Sequence, residues 1–158
     1  EAQLDRFMFN IVIDYLTEDE EVQVVTQTTA EQTEVVEKLF TAEDLIKCHQ
    51  VVRRVLISED IVRYAVKIAA ASRPGQEGTS EFVNEWVNWG AGTRAAQFLV
   101  LGAKTRALLD DRAHVTYEDI DAVTLPVLRH RILTNYRAEA EGITVEKVIQ
   151  QIVSSVER

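Results

Sequence analysis

Two hydrophobic patterns divide the chain. Phe7 to Tyr15, FMFNIVIDY, is a nearly continuous run rich in aromatic and β-branched residues. Such a run predicts a strand buried on both faces, as in a parallel sheet. From Thr17 onward apolar residues recur at helical spacing. Thr17 with Glu20 has the spacing of a capping box and predicts a helix to about Thr28. Residues 30–40 are ambiguous. Thr41 with Asp44 predicts the next helix, with Leu45, Cys48, His49 and Val52 as its stripe. Ser58 is a good N-cap for a helix that turns Ile61, Ala65, Ile68 and Ala69 inward. Residues 72–81, SRPGQEGTSE, read as a loop, and Phe82 to Trp89 as a short helix.

Gly90 and Gly92 precede a helix expected to reach about Asp111. It is apolar nearly all round from Ala95 to Ala103, which marks the central helix of the core. Thr116 with Asp119 opens another helix. Pro126 predicts a break, followed by a short helix through His130. Val145, Val148, Ile149, Ile152, Val153 and Val156 form an amphipathic stripe, docked on this core or on a partner. The expected fold is mainly α, one strand followed by a helical body. A buried strand without a sheet leaves backbone groups and both faces unpartnered, so the sheet is expected upstream. The opening EAQLDRFMFN, without an initial Met, reads the same way.

Composition narrows this picture. At 158 residues and 46% hydrophobic, one packed domain is expected. Six Gly and two Pro are few, which favours long helices over many short strands. The net charge of −9 argues against broad nucleic-acid binding and against an anionic membrane face. No apolar run reaches the roughly 18 residues of a membrane span. Cys48 is the single cysteine, so no internal disulfide forms, which suits a reducing, cytoplasmic setting.

The candidate chemistry centres on Arg94. It stands in the first turn of its helix, where the dipole disfavours a cation by roughly 0.3–1 kcal/mol. The glycines before it allow close backbone approach. First-turn N–H groups and a guanidinium aimed at one place make an anion site, because a bound phosphate joins two otherwise repelling positive elements. The plain alternative is a surface arginine whose stem covers apolar neighbours. Arg6, between Asp5 and Phe7, is either an ion-pair partner of Asp5 or Glu1 or a cation placed to stabilise a transferring phosphoryl group. Cys48 is expected as a buried thiol. His49, His114 and His130 lack metal-ligand spacing, so no metal site is expected. Arg129, His130 and Arg131 read as a solvated helix end. Trp86 and Trp89, three apart, are expected on one helical face as packing residues. Glu18 to Glu21 read as a favourable first helical turn.

Four segments carry a family resemblance: EAQLDRFMFNIVIDY, EFVNEWVNWGAGTRAAQFLVLGAKTRALL, HVTYEDIDAV and LPVLRHRILTNYRAEAEGITVEKVI. Together they resemble the carboxy-terminal half of a MoxR-type AAA+ ATPase over essentially the whole chain. The resemblance implies that residues 1–16 end the α/β nucleotide-binding core and that 17–158 form the helical lid. It implies that Arg6 is an arginine finger reaching the neighbouring subunit's γ-phosphate. It makes Arg94 the second sensor arginine for the subunit's own nucleotide, with Gly92 and Thr93 beside the phosphates. ATP with Mg²⁺, identical subunits in a ring, and a client or von Willebrand factor A domain protein as partner are implied likewise. Leu16 and Thr93 depart from the family, which often has Pro after the strand's Tyr and Pro or Ser at the second position. Neither removes a charge. No G-x-x-x-x-G-K-[ST] loop and no strand ending in paired acids is present in the chain, so these residues alone are not expected to hydrolyse ATP. A non-catalytic acidic module that binds partners through the stripe ending at Val156 is the alternative.

Overall fold

The computed structural model describes residues 3–31 and 37–158. After a 3₁₀ turn at Leu4–Arg6 come α1 (Glu18–Thr29), α2 (Ala42–Arg54), α3 (Glu59–Ala71), α4 (Glu81–Trp86) and β1 (Val87–Trp89). Then follow α5 (Thr93–Leu109), α6 (Tyr117–Leu128), β2 (Leu133–Thr134), α7 (Tyr136–Ala140) and α8 (Val145–Ser155). The fold is mainly helical, as the patterning predicts. Three helices open on the expected capping boxes, Thr17 with Glu20, Thr41 with Asp44 and Thr116 with Asp119. In each, the hydroxyl and the carboxylate satisfy first-turn and N-cap amides reciprocally.

α5 is the central helix. It packs chiefly on α6 and α3, and it buries Ala95, Ala96, Leu99, Gly102, Ala103 and Ala107. Its small residues allow close helix approach, while Tyr64, Ile68, Ile120, Leu128 and Ile152 supply the bulk of the core. α8 docks on α3, α4 and α6 and buries Val148, Ile149 and Ile152. The stripe ending at Val156 is thus covered by the chain's own core.

Several expectations are corrected. Phe7–Tyr15 forms no strand. Among the described residues the only sheet is β1 with β2, antiparallel, pairing Val87 with Thr134 and Trp89 with Leu133. The run is extended backbone without a ladder partner, and Ile11, Val12, Ile13 and Tyr15 are exposed. The predicted helix over 82–89 stops at Trp86, because the next three residues pair with β2. Trp86 is therefore buried and Trp89 exposed, not side by side on a helical face. α6 continues through Pro126. That proline sits in the last turn, where little helix remains downstream to be disrupted. The α2 stripe stays outside the core: Leu45, Cys48 and His49 are exposed and Val52 is half-buried. α2 meets the body through α5, with Lys104 Nζ donating to the Arg53 carbonyl at 3.2 Å. Residues 32–36, within the ambiguous stretch 30–40, lie outside the described residues.

Candidate phosphate site at the start of the central helix

The turn before α5 is fixed from one side by the end of α3. Ser72 Oγ accepts from the Ala91 amide at 2.8 Å and donates to the Ala69 carbonyl at 2.7 Å. Arg73 Nε donates to the Ala91 carbonyl at 2.8 Å. A Cβ on Gly90 would lie 2.3 Å from the Ser72 carbonyl oxygen, so the close approach anticipated at this glycine is made by the chain's own backbone. Gly92 is different. It is the N-cap of α5 and has open space where a side chain would be. No side chain caps the helix start, and Thr93 and Arg94 are exposed in its first turn.

These residues border a cleft of about 500 Å³ lined by Asp5, Asn88, Trp89, Gly90, Gly92, His130, Arg131 and Leu133. A second hollow, about 580 Å³, lies away from it beside the 76–80 loop and the end of α8. The first adjoins the uncapped N-terminus of α5, whereas the second holds Arg73 and the start of α4, which Ser80 caps with its own side chain. Arg94 Nη1 donates to Asp5 Oδ2 at 2.8 Å, with its side chain 46% exposed. The guanidinium has thus already found a carboxylate, which offers the paired-oxygen geometry that a phosphate would offer.

Arg131 closes the other side of that carboxylate. Its Nε donates to Asp5 Oδ1 at 2.9 Å. Its Nη2 donates to the carbonyls of Asp5 (2.8 Å) and Phe7 (2.6 Å). Its Nη1 donates to the carbonyls of Met8 (3.3 Å) and Val127. All the N–H donors of a guanidinium are then used. The group also lies 5.0 Å over the Phe98 ring, and Arg131 is only 5% exposed. Burial pulls its pKa down while the Asp5 carboxylate opposes that shift.

The neighbouring residues extend the clamp. His130 Nε2 lies 3.0 Å from the Phe7 carbonyl, and Arg129 Nη1 donates to the Asn10 carbonyl at 3.3 Å. The Asn10 amide donates to the Pro126 carbonyl at 2.8 Å. Arg129, His130 and Arg131 are therefore not a solvated helix end. They supply the hydrogen bonds that residues 5–10 do not obtain from a sheet. His130 Nδ1 is buried without a partner, and burial lowers the histidine's pKa. Patterning gave no sign of this clamp. The signal was a dense set of donors, RHR, in a chain whose extended run lacked partners.

Of the predicted phosphate residues, Gly92 lines the cleft, Thr93 follows it in the first turn of α5, and Arg94 reaches the cleft wall through Asp5. Arg6 belongs to the same 3₁₀ turn as Asp5 but is exposed. It makes no ion pair among the described residues, because Asp5 is engaged by Arg94 and Arg131; Glu1, the other partner considered, lies outside them. Cys48 is exposed, not buried. No group of three or more His, Cys, Asp or Glu side chains among the described residues could hold a metal ion.

Comparison with known proteins agrees with this architecture. A family model described as the AAA lid domain matches residues 80–152, from α4 into α8. Chaperone MoxR1 of Mycobacterium tuberculosis is 32% identical over 99% of the chain, and the uncharacterized protein YeaC of Bacillus subtilis 31% over 99%. A crystal structure of a candidate ATPase from Cytophaga hutchinsonii superposes with a TM-score of 0.88 at 35% identity over 99% of the chain. The chain spans 41% and 46% of the two curated relatives and 48% of the solved one. The fold is that of an AAA+ lid. Within that class the chain is similar to the lid-bearing region of a MoxR-type protein, chaperone MoxR1.

Proposed function

We propose that the chain serves as the lid of an ATP-hydrolysing MoxR-type ring protein with chaperone-like remodelling activity. The observation that carries this is Arg94 in the first turn of the uncapped α5, already paired with Asp5, a carboxylate that lines the adjoining cleft. An ATP phosphate there gains the α5 first-turn amides, the helix dipole and a bidentate guanidinium. Arg94 moves with the lid, so loss of the γ-phosphate changes the lid's favoured position. Arg6, exposed on the 3₁₀ turn, is the arginine finger of a neighbouring subunit's site, a contribution worth roughly 10³–10⁵ in rate in phosphoryl-transfer enzymes.

The relative called a chaperone supports remodelling as the output. A von Willebrand factor A domain protein is the partner class carried by the family resemblance. Mg²⁺ accompanies ATP in such chemistry, but the described residues do not form a site for it. No helix among them is long and apolar enough to cross a membrane. The alternative of a partner-binding module loses its motivating feature, because α8 is covered by α3, α4 and α6.

The test is turnover by the intact protein. Arg94→Ala should abolish ATP hydrolysis with unchanged helical circular dichroism. Arg6→Ala, mixed with wild-type subunits, should depress activity more steeply than its mole fraction. Wild-type turnover in Arg94→Ala, or a strictly proportional loss with Arg6→Ala, contradicts the respective role.

A further inference from the structure

Asp5 is shared by two arginines of unequal freedom. On one side stands Arg131, buried, fully hydrogen-bonded and anchored to the α6 carbonyl of Val127. On the other stands Arg94, half-exposed and joined to the rest of the site only through Asp5 Oδ2. Asp5 and Arg6 are consecutive residues of one 3₁₀ turn, closed by the Phe7 amide on the Leu4 carbonyl at 3.0 Å. A change in what holds Asp5 therefore changes what holds Arg6.

We propose that Asp5 and Arg131 are positioning residues that couple the Arg94 site to Arg6, so that nucleotide in a subunit's own cleft alters the arginine it presents to its neighbour. This inference rests on the roles proposed above for Arg94 and Arg6. Two states define it. In the state described here Arg94 pairs with Asp5, and the turn carrying Arg6 is held from both sides. When phosphate oxygens take Arg94, they displace the carboxylate, since one guanidinium edge cannot serve both anions at full strength. Asp5 is then held by Arg131 alone. Arg131 is a fixed pivot, because its remaining donors stay on the Phe7, Met8 and Val127 carbonyls and its face stays on Phe98. The difference between the states is one ion pair on the turn that bears Arg6. Such linkage is reciprocal: whatever favours the Arg94–Asp5 pair disfavours nucleotide to the same extent.

The experiment uses the intact protein with two readouts, binding of a fluorescent non-hydrolysable ATP analogue and steady-state ATP turnover. Asp5→Asn keeps the shape and removes the competing charge. The analogue should bind about fivefold more tightly, the low end of coupling between sites. Turnover should fall about tenfold as Arg6 loses its registration. Asp5→Glu restores the charge and should return affinity to within about twofold of wild type, at the level of an exposed ion pair. A merely structural Asp5 would not tighten nucleotide. Unchanged or weaker binding in Asp5→Asn, with native circular dichroism, overturns the coupling. Arg94→Ala and Arg6→Ala run in the same assay separate the two failures. If both keep wild-type turnover, the functional reading falls. If both lose it while Asp5→Asn binds like wild type, only the coupling falls.

Discussion

Gly90 and His130 show how single residues set the site's geometry. At Gly90 the constraint is backbone proximity, with the Ser72 carbonyl where a methyl group would be. Gly90→Ala should destabilise the fold by about 2–3 kcal/mol, the upper range for overpacking, measured by urea denaturation. Gly92→Ala, with open space at its Cβ, should cost far less. At His130 the constraint is protonation. Its Nε2 serves the Phe7 carbonyl as a donor, which leaves Nδ1 as the unprotonated, unpartnered nitrogen. Burial lowers its pKa from 6.5, so the unfolded chain takes up a proton before the folded one does. Stability is full above pH 6.5 and declines as pH falls from there toward the lowered folded value. Amide exchange over residues 7–10 should accelerate on acidification from pH 7.5 to about 5.5, and His130→Gln should flatten that dependence.

At the scale of elements, local chemistry was legible and long-range pairing was not. Capping boxes, the 3-4 spacing of α3 and α8 and the all-round apolar stretch of α5 are properties of adjacent residues, and those helices form where they predict. β1 and β2 together hold five residues, too few for a period-2 signal, and they pair across more than forty positions of sequence. The uncapped helix start at Gly92 and the exposed Thr93 and Arg94 beside it were readable because helix start and guanidinium are contiguous. Asp5 and Arg131 were not, since their partnership spans 126 positions. α6 shows a local cap reinforced from a distance. Asp119, 1% exposed, accepts from the Thr116 amide at 2.9 Å and from both Nη atoms of Arg112 at 2.7 and 2.6 Å. Those hydrogen bonds from Arg112 hold its pKa below 3.8, so its contribution is present above that value and is lost as pH falls through the lowered one. Asp119→Asn should cost about 3 kcal/mol at neutral pH, the low end for breaking a buried pair because Arg112 is partly exposed. Thermal unfolding at pH 7 and pH 3 should show the gap to wild type narrowing at the lower pH.

For the whole molecule, the helices from α3 to α8 form a closed unit, while the extended run before α1 and the helices α1 and α2 leave apolar residues exposed. The core from α3 to α8 buries its own apolar stripes, yet Ile11, Val12 and Ile13 stand exposed on extended backbone. Those residues have the composition of a sheet strand, and the clamp from Arg129 to Arg131 orders only the stretch before them. Under the proposed function, this run joins a nucleotide-binding sheet, with Arg94 and Arg6 at the seam. That function also makes one geometric demand: nucleotide has to arrive where Asp5 now meets Arg94. The most direct measurement is a crystal structure of the intact protein with a non-hydrolysable ATP analogue bound. The account predicts an Arg94 guanidinium nitrogen about 2.7–2.9 Å from a terminal phosphate oxygen, with Asp5 retained by Arg131. Arg94 still paired with Asp5, its cleft empty while nucleotide is bound elsewhere, would contradict it.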